Sequence, residues 1–425
     1  MSRISLFGLP SFLCYGYLSQ FEINEASLLQ MAVALGVAAL LQLVAWYCCW
    51  RDNFYPTIPE LVFWAIAFRL LGVYGNPILE DDFYRYLWDG YQFVENGVVY
   101  SLAPQHWFDS AIATPAFEHV LDSINNPHIA TIYGPVCQYV FGLSYLLAPA
   151  EAWPLQLIFS VFDVGIVLLL CTLTNTRNVL LYAWCPLVIK EVAFTAHVDS
   201  MAVFFLLAAC VAMIKNRRVL VGGALALAVA SKIFAILLLP LLLYRRKLSI
   251  LAFGVTLILL YAPFLSELRA NEHGLSAMAS GWVFNAPLFL LLPKYFVQLQ
   301  ILTFILFAGI WCFSAWHWRK NGDVLPRADW IYAAFLLAIP ALNPWYLIWL
   351  LPFAALKPSL TAWTASVAVL FAYVIGLNIQ SDDLLAYQQP LWALCLEYGL
   401  VLTAFAFDLA KQRRPNVNGG DLKSA

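Results

Sequence analysis

Apolar runs of about 20 residues recur along this chain of 425 residues, and no other feature limits its fold as strongly. A helix of about that length crosses the hydrocarbon core of a bilayer, roughly 30 Å thick. Hydrophobic residues make up 63% of the chain and charged residues only 11%, which excludes an ordinary soluble domain. The sequence predicts an all-α polytopic membrane protein of about 11–14 membrane segments in one domain, residues 1–412, with a disordered cytoplasmic tail, residues 413–425.

Basic residues orient the predicted helices, because Lys and Arg collect in cytoplasmic loops. We assign 17 of the 23 basic residues to one set of loops, which places both termini in the cytoplasm. Three helices, Ile4–Gln20, Leu28–Trp46 and Ile58–Tyr74, then precede a large first outer loop, residues 76–130. This loop contains eight acidic residues and one basic residue, so the two faces differ in charge.

Some apolar segments look too short or too interrupted to cross the membrane as straight helices. Seating Tyr133–Leu147 only partway in the bilayer preserves the charge pattern. The pairs Val219–Ala230 with Ile233–Tyr244, and Trp330–Ile339 with Leu347–Leu356, each turn at the outer side. Broken or half-length helices are tolerated where they line a polar cavity.

The first outer loop opens with the segment Glu80–Gly90, which holds four acids and one arginine in eleven residues. Charges at a membrane boundary are costly, so this cluster is a functional-site hypothesis; the alternative is a solvated acidic loop. If the segment is helical, Asp82, Arg85, Tyr86 and Asp89 share one face. Glu80 is interpreted as a boundary residue.

Further polar groups fall on the same side of the predicted topology. They are His128, Tyr133, Lys190, Glu191, His197, Asp199, Lys232, Trp282, Asn285, Asn343, Trp345 and Tyr346. Simpler alternatives exist for several: Lys190 and Glu191 could pair with each other, and His197 and Asp199 could cap a helix. The tryptophans could be interfacial anchors. Their convergence on one face favours function, because capping residues alone would occupy both faces.

Carboxylates with Arg and Lys at an outer boundary suit a reaction between a lipid phosphate and a hydroxyl. An aspartate can take the hydroxyl proton, a cation can hold the leaving phosphate, and aromatic rings can bind sugar faces. The sequence contains no Walker loop, dinucleotide fingerprint, GxSxG elbow or HExxH pair, and no basic stripe for nucleic acid.

Several segments resemble those of a known family, in order from about Glu80 to Pro352. They are EDDFYRYLWDGYQFVENGVVYSLAP, TIYGPVCQ, WCPLVIKEVAFTAHVDS, the hairpin around Lys232, WVFNAP and NPWYLIWLLP. Together they resemble the bacterial mannosyltransferase-like branch of the GT-C superfamily of polyprenyl-phosphate-sugar-dependent glycosyltransferases. Two positions depart from the family pattern: Gly134 stands in place of a usual proline, and Cys185 in place of a usual asparagine.

The resemblance implies a GT-C-like helical bundle in the inner (plasma) membrane, with its active site on the periplasmic or extracellular face. It implies inverting transfer of a hexose, with mannose favoured, from a polyprenyl-phosphate donor to a glycolipid or glycan hydroxyl. Asp82, or Asp81, would be the general base, and Arg85, Lys232 and His197 would hold the phosphate. Metal dependence varies within that superfamily, so the resemblance specifies no cofactor; Asp81 and Asp82 could hold Mg²⁺ or Mn²⁺.

Two other classes of function compete with this hypothesis. A lipid or solute transporter could use Lys190, Glu191, Lys232 and Asp163 to line a pathway, although no convincing internal repeat is present. A non-enzymatic membrane scaffold is the third alternative, but it gives no reason for eight acids facing one arginine beside a lipid boundary. The sequence does not identify the sugar or the acceptor.

Overall fold

The computed structural model of the protein describes residues 3–21, 28–108, 114–268, 282–375 and 388–413. These residues form an all-helical fold, as predicted; they contain no strand, and one isolated bridge pairs Phe284 with Ala341. The α-helices, in chain order, are α1 Ser5–Leu18, α2 Leu28–Arg51, α3 Ile58–Tyr74, α4 Asp82–Tyr91, α5 Pro115–Asp122, α6 Pro135–Leu147, α7 Trp153–Leu173, α8 Thr176–Ala183, α9 Pro186–Ile189, α10 Asp199–Ile214, α11 Arg218–Ser231, α12 Leu239–Leu242, α13 Lys247–Tyr261, α14 Leu265–Leu268, α15 Pro287–Leu291, α16 Phe296–Asn321, α17 Ala328–Ala338, α18 Leu351–Leu356, α19 Leu360–Ala368 and α20 Leu391–Arg413.

Long apolar helices make this a multi-pass membrane protein. Five stretches of the described chain are long and apolar enough to cross a bilayer: Leu28–Arg51, Trp153–Leu173, Lys247–Glu267, Pro293–Asn321 and Leu391–Lys411. A sixth span arises if α9 and α10 are one bent helix. The estimate of about 11–14 segments stays a prediction, because further apolar helices have only 10–17 residues.

The N-terminal helices and the C-terminal end follow the sequence closely. Helices α1, α2 and α3 form where three helices were predicted before the acidic segment. Helix α20 ends at Arg413, which was predicted to begin the tail, and residues 414–425 lie outside the described ranges.

The first sharp break separates α9 from α10. Helix α9 continues as a π-helical turn, Lys190–Phe194, and the chain then bends by 116° into α10. Ala196 adopts a left-handed backbone with φ of 61° at this bend. Buried backbone groups need internal partners here, and Gln156 supplies one by donating to the Phe194 carbonyl oxygen at 2.9 Å.

Two more breaks occur where the sequence predicted interrupted pairs. Lys232 is extended between α11 and the 3₁₀ turn Ile233–Leu238. Asn343 is extended before the 3₁₀ turn Pro344–Trp349. Contacts between Asp199, Lys232 and Trp349 bring all three breaks together.

A buried ion pair ties α3 to α7 inside the bundle. The Arg69 guanidinium contacts the Asp163 carboxylate at 2.5 and 2.6 Å, and its Nη1 donates to the carbonyl oxygens of Ala65 and Ala183. Tyr182 donates its hydroxyl to the other Asp163 oxygen at 2.5 Å. The Arg69 and Asp163 side chains are 1% and 0% exposed, so the pair stabilises helix packing rather than lining a path.

The opening part of the segment predicted as an acidic outer loop, helix α4, is folded against the bundle. Helix α4 packs on α6, where the Tyr86 and Phe141 rings stack with centroids 4.7 Å apart. A Cβ on Gly90 would lie 2.3 Å from the Phe141 carbonyl oxygen, so only glycine permits this approach. The solvated-loop alternative does not apply to α4, because most of its side chains are buried.

Candidate functional site

Three consecutive carboxylates gather where α4 begins. One oxygen from each of Glu80, Asp81 and Asp82 lies within 4.8 Å of the others. Leu79, with φ of 68°, turns the chain into this arrangement. Glu80 is buried, whereas Asp81 and Asp82 are half-buried. Glu80, interpreted from the sequence as a boundary residue, is thus also a member of the carboxylate cluster.

Asn125 bridges two of these carboxylates. Its side-chain amide donates to one oxygen of Asp81 at 2.5 Å and to one oxygen of Asp82 at 3.2 Å. Asn125 belongs to the loop after α5, so a contact across more than 40 residues fixes the acidic pair. Sequence reasoning missed this residue; its only signal was the polar NNPH segment before the next motif.

Burial and mutual repulsion shift the protonation of the cluster. Burial, followed by the Asp82 charge, raises the pKa of Asp81 to about 7, and the Asn125 amide opposes this increase. Burial also raises the pKa of Asp82, against the opposing effects of Asn125 and the Lys232 charge. The pKa of Glu80 lies well above its usual range because of burial and both neighbouring aspartates. Asp81 can therefore exchange a proton near neutral pH.

Lys232 supplies the cation opposite this cluster. Its Nζ donates to the Asp199 carboxylate at 2.7 Å and lies 5.1 Å from the centre of the Tyr346 ring. Trp349 Nε1 donates to the other Asp199 oxygen at 2.6 Å. Asp199 therefore anchors Lys232 instead of capping α10, which has no side-chain cap. The interruption of the hairpin by Lys232 thus places its ammonium group within electrostatic range of Asp82.

A second ionic group lies behind the first and is fully buried. Lys190 Nζ lies 3.3 Å from both Glu191 oxygens and donates to the Tyr373 hydroxyl at 2.9 Å. Tyr373 in turn donates to Glu191. His197 Nε2 lies 3.3 Å from Glu191, and its ring stacks on Trp345 with centroids 4.0 Å apart. The pairing of Lys190 with Glu191 is therefore present, and Tyr373 is a member that the sequence did not indicate.

Arg85 and Asp89 form hydrogen bonds with each other and with the loop that precedes α6. Arg85 Nε donates to Asp89 at 2.9 Å, and its Nη1 donates to the Ile129 carbonyl oxygen at 2.9 Å. Asp89 also accepts from Thr131 at 2.5 Å and from Gln138 at 3.3 Å. The predicted shared face of α4 exists, and it fastens residues 129–138 to the helix.

Tyr133 and Gly134 bring that loop against the end of α11. The Tyr133 hydroxyl donates to the Tyr86 hydroxyl at 3.3 Å. A Cβ on Gly134 would lie 2.0 Å from the Ala230 carbonyl oxygen. The loop therefore approaches the backbone two residues before Lys232 so closely that a side chain would not fit.

The remaining predicted site residues occupy different surroundings. Asn285 is buried and donates to Glu397 of α20 at 2.8 Å. Asn343 is buried, Trp282 is half-buried and His128 is exposed. The backbone of Phe284 forms hydrogen bonds with residues 340 and 342, so Asn285 lies close to the extended segment that precedes Asn343.

The arrangement combines proton-accepting carboxylates with the ammonium group of Lys232, whose side chain is partly exposed. Lys232 keeps 17% of its side chain exposed, whereas Lys190, Glu191 and Asp199 keep none. Three carboxylates within 4.8 Å form a hard oxygen donor set of the kind that Mg²⁺ or Mn²⁺ prefers. The site could therefore bind an anion beside a base, with or without a divalent cation at the carboxylates.

Comparison of the chain with protein-family models, with curated proteins and with solved structures returned no match.

Proposed function

We propose that this protein is a membrane glycosyltransferase that moves a hexose, with mannose favoured, from a polyprenyl-phosphate carrier to a hydroxyl of a glycolipid or glycan. The observation that carries the proposal is the convergence of two separate parts of the chain. The Asp81–Asp82 pair held by Asn125 faces the Lys232–Asp199 pair, and the Lys232 charge acts on Asp82.

Asp82 is the proposed general base. It is the first residue of α4, where the helix dipole favours the carboxylate form, and the Lys232 charge favours that form as well. The acceptor oxygen attacks the anomeric carbon as its proton passes to Asp82. The bond from that carbon to the phosphate oxygen breaks, and the phosphate leaves with the electron pair, so the anomeric configuration inverts.

Lys232 is the proposed phosphate contact. Its ammonium group donates to Asp199 at 2.7 Å and has further N–H donors, and 17% of the side chain is exposed, so it can also donate a hydrogen bond to a phosphate oxygen. Arg85 is less suited to that role, because Asp89 and the Ile129 carbonyl oxygen already occupy its Nε and Nη1. Asp81 is the rival base, or part of a carboxylate set for Mg²⁺ or Mn²⁺.

The proposed site faces the periplasm or the cell exterior of an inner (plasma) membrane. This orientation rests on the distribution of basic residues, which places the acidic end of the bundle outside. The helical architecture supports a GT-C-like bundle only at the level of an all-helical membrane protein. The lipid tail of the donor would lie in the bilayer beside the site, with its phosphate at the depth of Lys232.

Sugar transfer by purified protein is the direct test. Protein in detergent receives a polyprenyl-phosphate hexose and a panel of glycolipid acceptors, and products are measured by mass spectrometry. Asp82→Asn should reduce transfer by about 10²–10⁴-fold without loss of donor binding. Asp122→Asn is the matched control, because Asp122 is an exposed acid in the same region of the chain.

Two results would overturn the proposal. If both Asp82→Asn and Asp81→Asn retain normal turnover, the assignment of the base is wrong. If proteoliposomes move a lipid or solute without covalent change, the transporter alternative replaces it. The buried pairs Arg69–Asp163 and Lys190–Glu191 are the features that a transporter would use, but each is closed by its own partners.

A further inference from the structure

A basic cavity lies at the end of α10 and α11 opposite the candidate site. Its volume is about 610 Å³, and nine residues line it. Helix α10 begins at Asp199 and ends at this cavity, whereas α11 begins at the cavity and ends beside Lys232. At 1.5 Å per residue, helices of 16 and 14 residues separate the two places by roughly 20 Å.

The lining is strongly cationic. Arg218, Arg245, Arg246 and Lys247 supply four positive side chains, and none of the nine lining residues is acidic. Arg218, Arg245 and Lys247 are also exposed. Cations at this density repel one another, so the empty arrangement is electrostatically unfavourable and a bound anion would stabilise it.

Two helices begin at the cavity without the residues that normally stabilise a helix start. Helix α11 begins at Arg218 and α13 begins at Lys247, and neither has an acidic residue in its first turn or a side-chain cap. A cation at a helix N-terminus opposes the helix dipole, and the first backbone N–H groups lack helical partners. Both features favour an anion at this place.

The packing of α11 on α13 fixes the two helix starts side by side. The Ser249 hydroxyl donates to the Arg218 carbonyl oxygen at 2.8 Å. A Cβ on Gly222 would lie 2.1 Å from the Ser249 carbonyl oxygen, so the helices touch backbone to backbone. The two loops that line the cavity, residues 215–217 and 243–246, are therefore held side by side by the helices that follow them.

We propose that this cavity binds a phosphate-bearing anion, and that its source is the headgroup of an anionic phospholipid. The flanking surfaces of α11 and α13 present exposed leucines, among them Leu220 and Leu251, against which acyl chains can lie. Positive charge near a membrane surface attracts anionic headgroups in any case. The helix starts and the absence of acids from the lining add a defined site to that general attraction.

Lipid binding to cavity variants tests this proposal independently of sugar transfer. Protein in detergent is incubated with phosphatidylglycerol or phosphatidylcholine, and retained lipid is counted by native mass spectrometry. Arg218→Gln and Lys247→Gln, made together, should weaken phosphatidylglycerol retention by on the order of 5-fold for each cation removed. Lys320→Gln with Lys357→Gln is the matched control, since both lysines are exposed and lie outside the lining.

Competition with inorganic phosphate distinguishes the two possible sources of a phosphate group, a lipid headgroup and a soluble phosphate compound. Displacement of phosphatidylglycerol from the unmodified protein by inorganic phosphate would overturn the headgroup as the source, whereas retention of the lipid in the presence of phosphate supports it. Equal loss in the control pair, equal retention of phosphatidylcholine, or full retention by the cavity variant would each overturn the proposal. Thermal unfolding checks that the variants fold, and Arg218→Gln alone gives the same test should the pair prove unstable.

Discussion

Lys232 Nζ lies 2.7 Å from the Asp199 carboxylate, although 33 residues separate them in the chain. Asp199 is fully buried, and its other carboxylate oxygen accepts from Trp349, so both of its oxygens are engaged. The Lys232 ammonium group therefore has one fixed partner and further N–H groups with which to hold an anion. That geometry suits a cation that must hold an anion at a constant position.

Lys232→Met should reduce sugar transfer by about 10²–10³-fold, because the charge that stabilises the leaving phosphate is lost. It should also lower stability, since Asp199 is left buried and unpaired. The double variant Lys232→Met with Asp199→Asn should regain stability, as measured by thermal unfolding, but it should not regain sugar transfer. Lys294→Met, at an exposed lysine elsewhere, is the control. Recovery of transfer in the double variant would assign Lys232 a structural role only.

Asn125→Ala should lower the turnover number by on the order of 10²-fold, because the acidic pair loses the amide that positions it. The same amide holds down the pKa values of Asp81 and Asp82. The pH at half-maximal rate should therefore move upward in this variant. Asn321→Ala, at an exposed asparagine far along the chain, should change neither quantity. A lower rate with an unchanged pH profile would argue against a positioning role.

Sugar transfer should increase with pH through about 7, where Asp81 titrates. A proton on the acidic pair blocks the base, so the rate is low below this pH and reaches a plateau above it. In Asp81→Asn the midpoint should fall, because the group that titrates near 7 is gone. Initial rates across this pH range decide the matter, and an unchanged midpoint would exclude Asp81 as the titrating group.

The same shift affects stability in the opposite direction. The folded-state pKa of Asp81 is raised above the value of about 3.9 expected in the unfolded chain. Between these two values the folded state binds the proton more strongly, so this group's contribution to stability falls as pH rises from about 4 to 7. Unfolding temperatures of the protein and of Asp81→Asn should differ more at pH 7 than at pH 4.

Gly134→Ala should destabilise the protein by about 1–3 kcal/mol, because its Cβ would collide with the Ala230 carbonyl oxygen. Relief of the collision moves the end of α11, and Lys232 moves with it, so sugar transfer should fall too. Gly254→Ala is the control: nothing lies within 4 Å of its Cβ position, and alanine suits a helix better than glycine. Equal losses of stability in both glycine variants would show that the close approach of Gly134 to Ala230 does not determine the effect.

Arg69→Met should destabilise the protein by about 3–5 kcal/mol, because Asp163 would be left charged inside the bundle. Replacing both partners, Arg69→Met with Asp163→Leu, should cost much less than the single change. Thermal unfolding in detergent measures both variants. Persistence of sugar transfer in the double variant would show that the pair stabilises helix packing, whereas loss of transfer at normal stability would point to a functional pathway.

The sequence alone determined the helical membrane class and two of the three places where helices break, whereas the bend between α9 and α10 appeared only in the structure. Apolar length decides whether a segment prefers a bilayer, and this property belongs to each segment by itself. The same holds for the shared face of Asp82, Arg85 and Asp89, since helical spacing puts such residues together without help from the rest of the chain.

Only the tertiary structure decided which polar groups meet. Asn125 contacts the acidic pair from another loop, Tyr373 joins Lys190 and Glu191 from a distant helix, and Gly134 allows the approach to α11. Such contacts depend on how helices pack, and packing leaves no periodic pattern in the sequence of either partner. The sequence could therefore list the polar residues of the site, whereas the packed bundle decided which of them pair, which are buried and which are exposed.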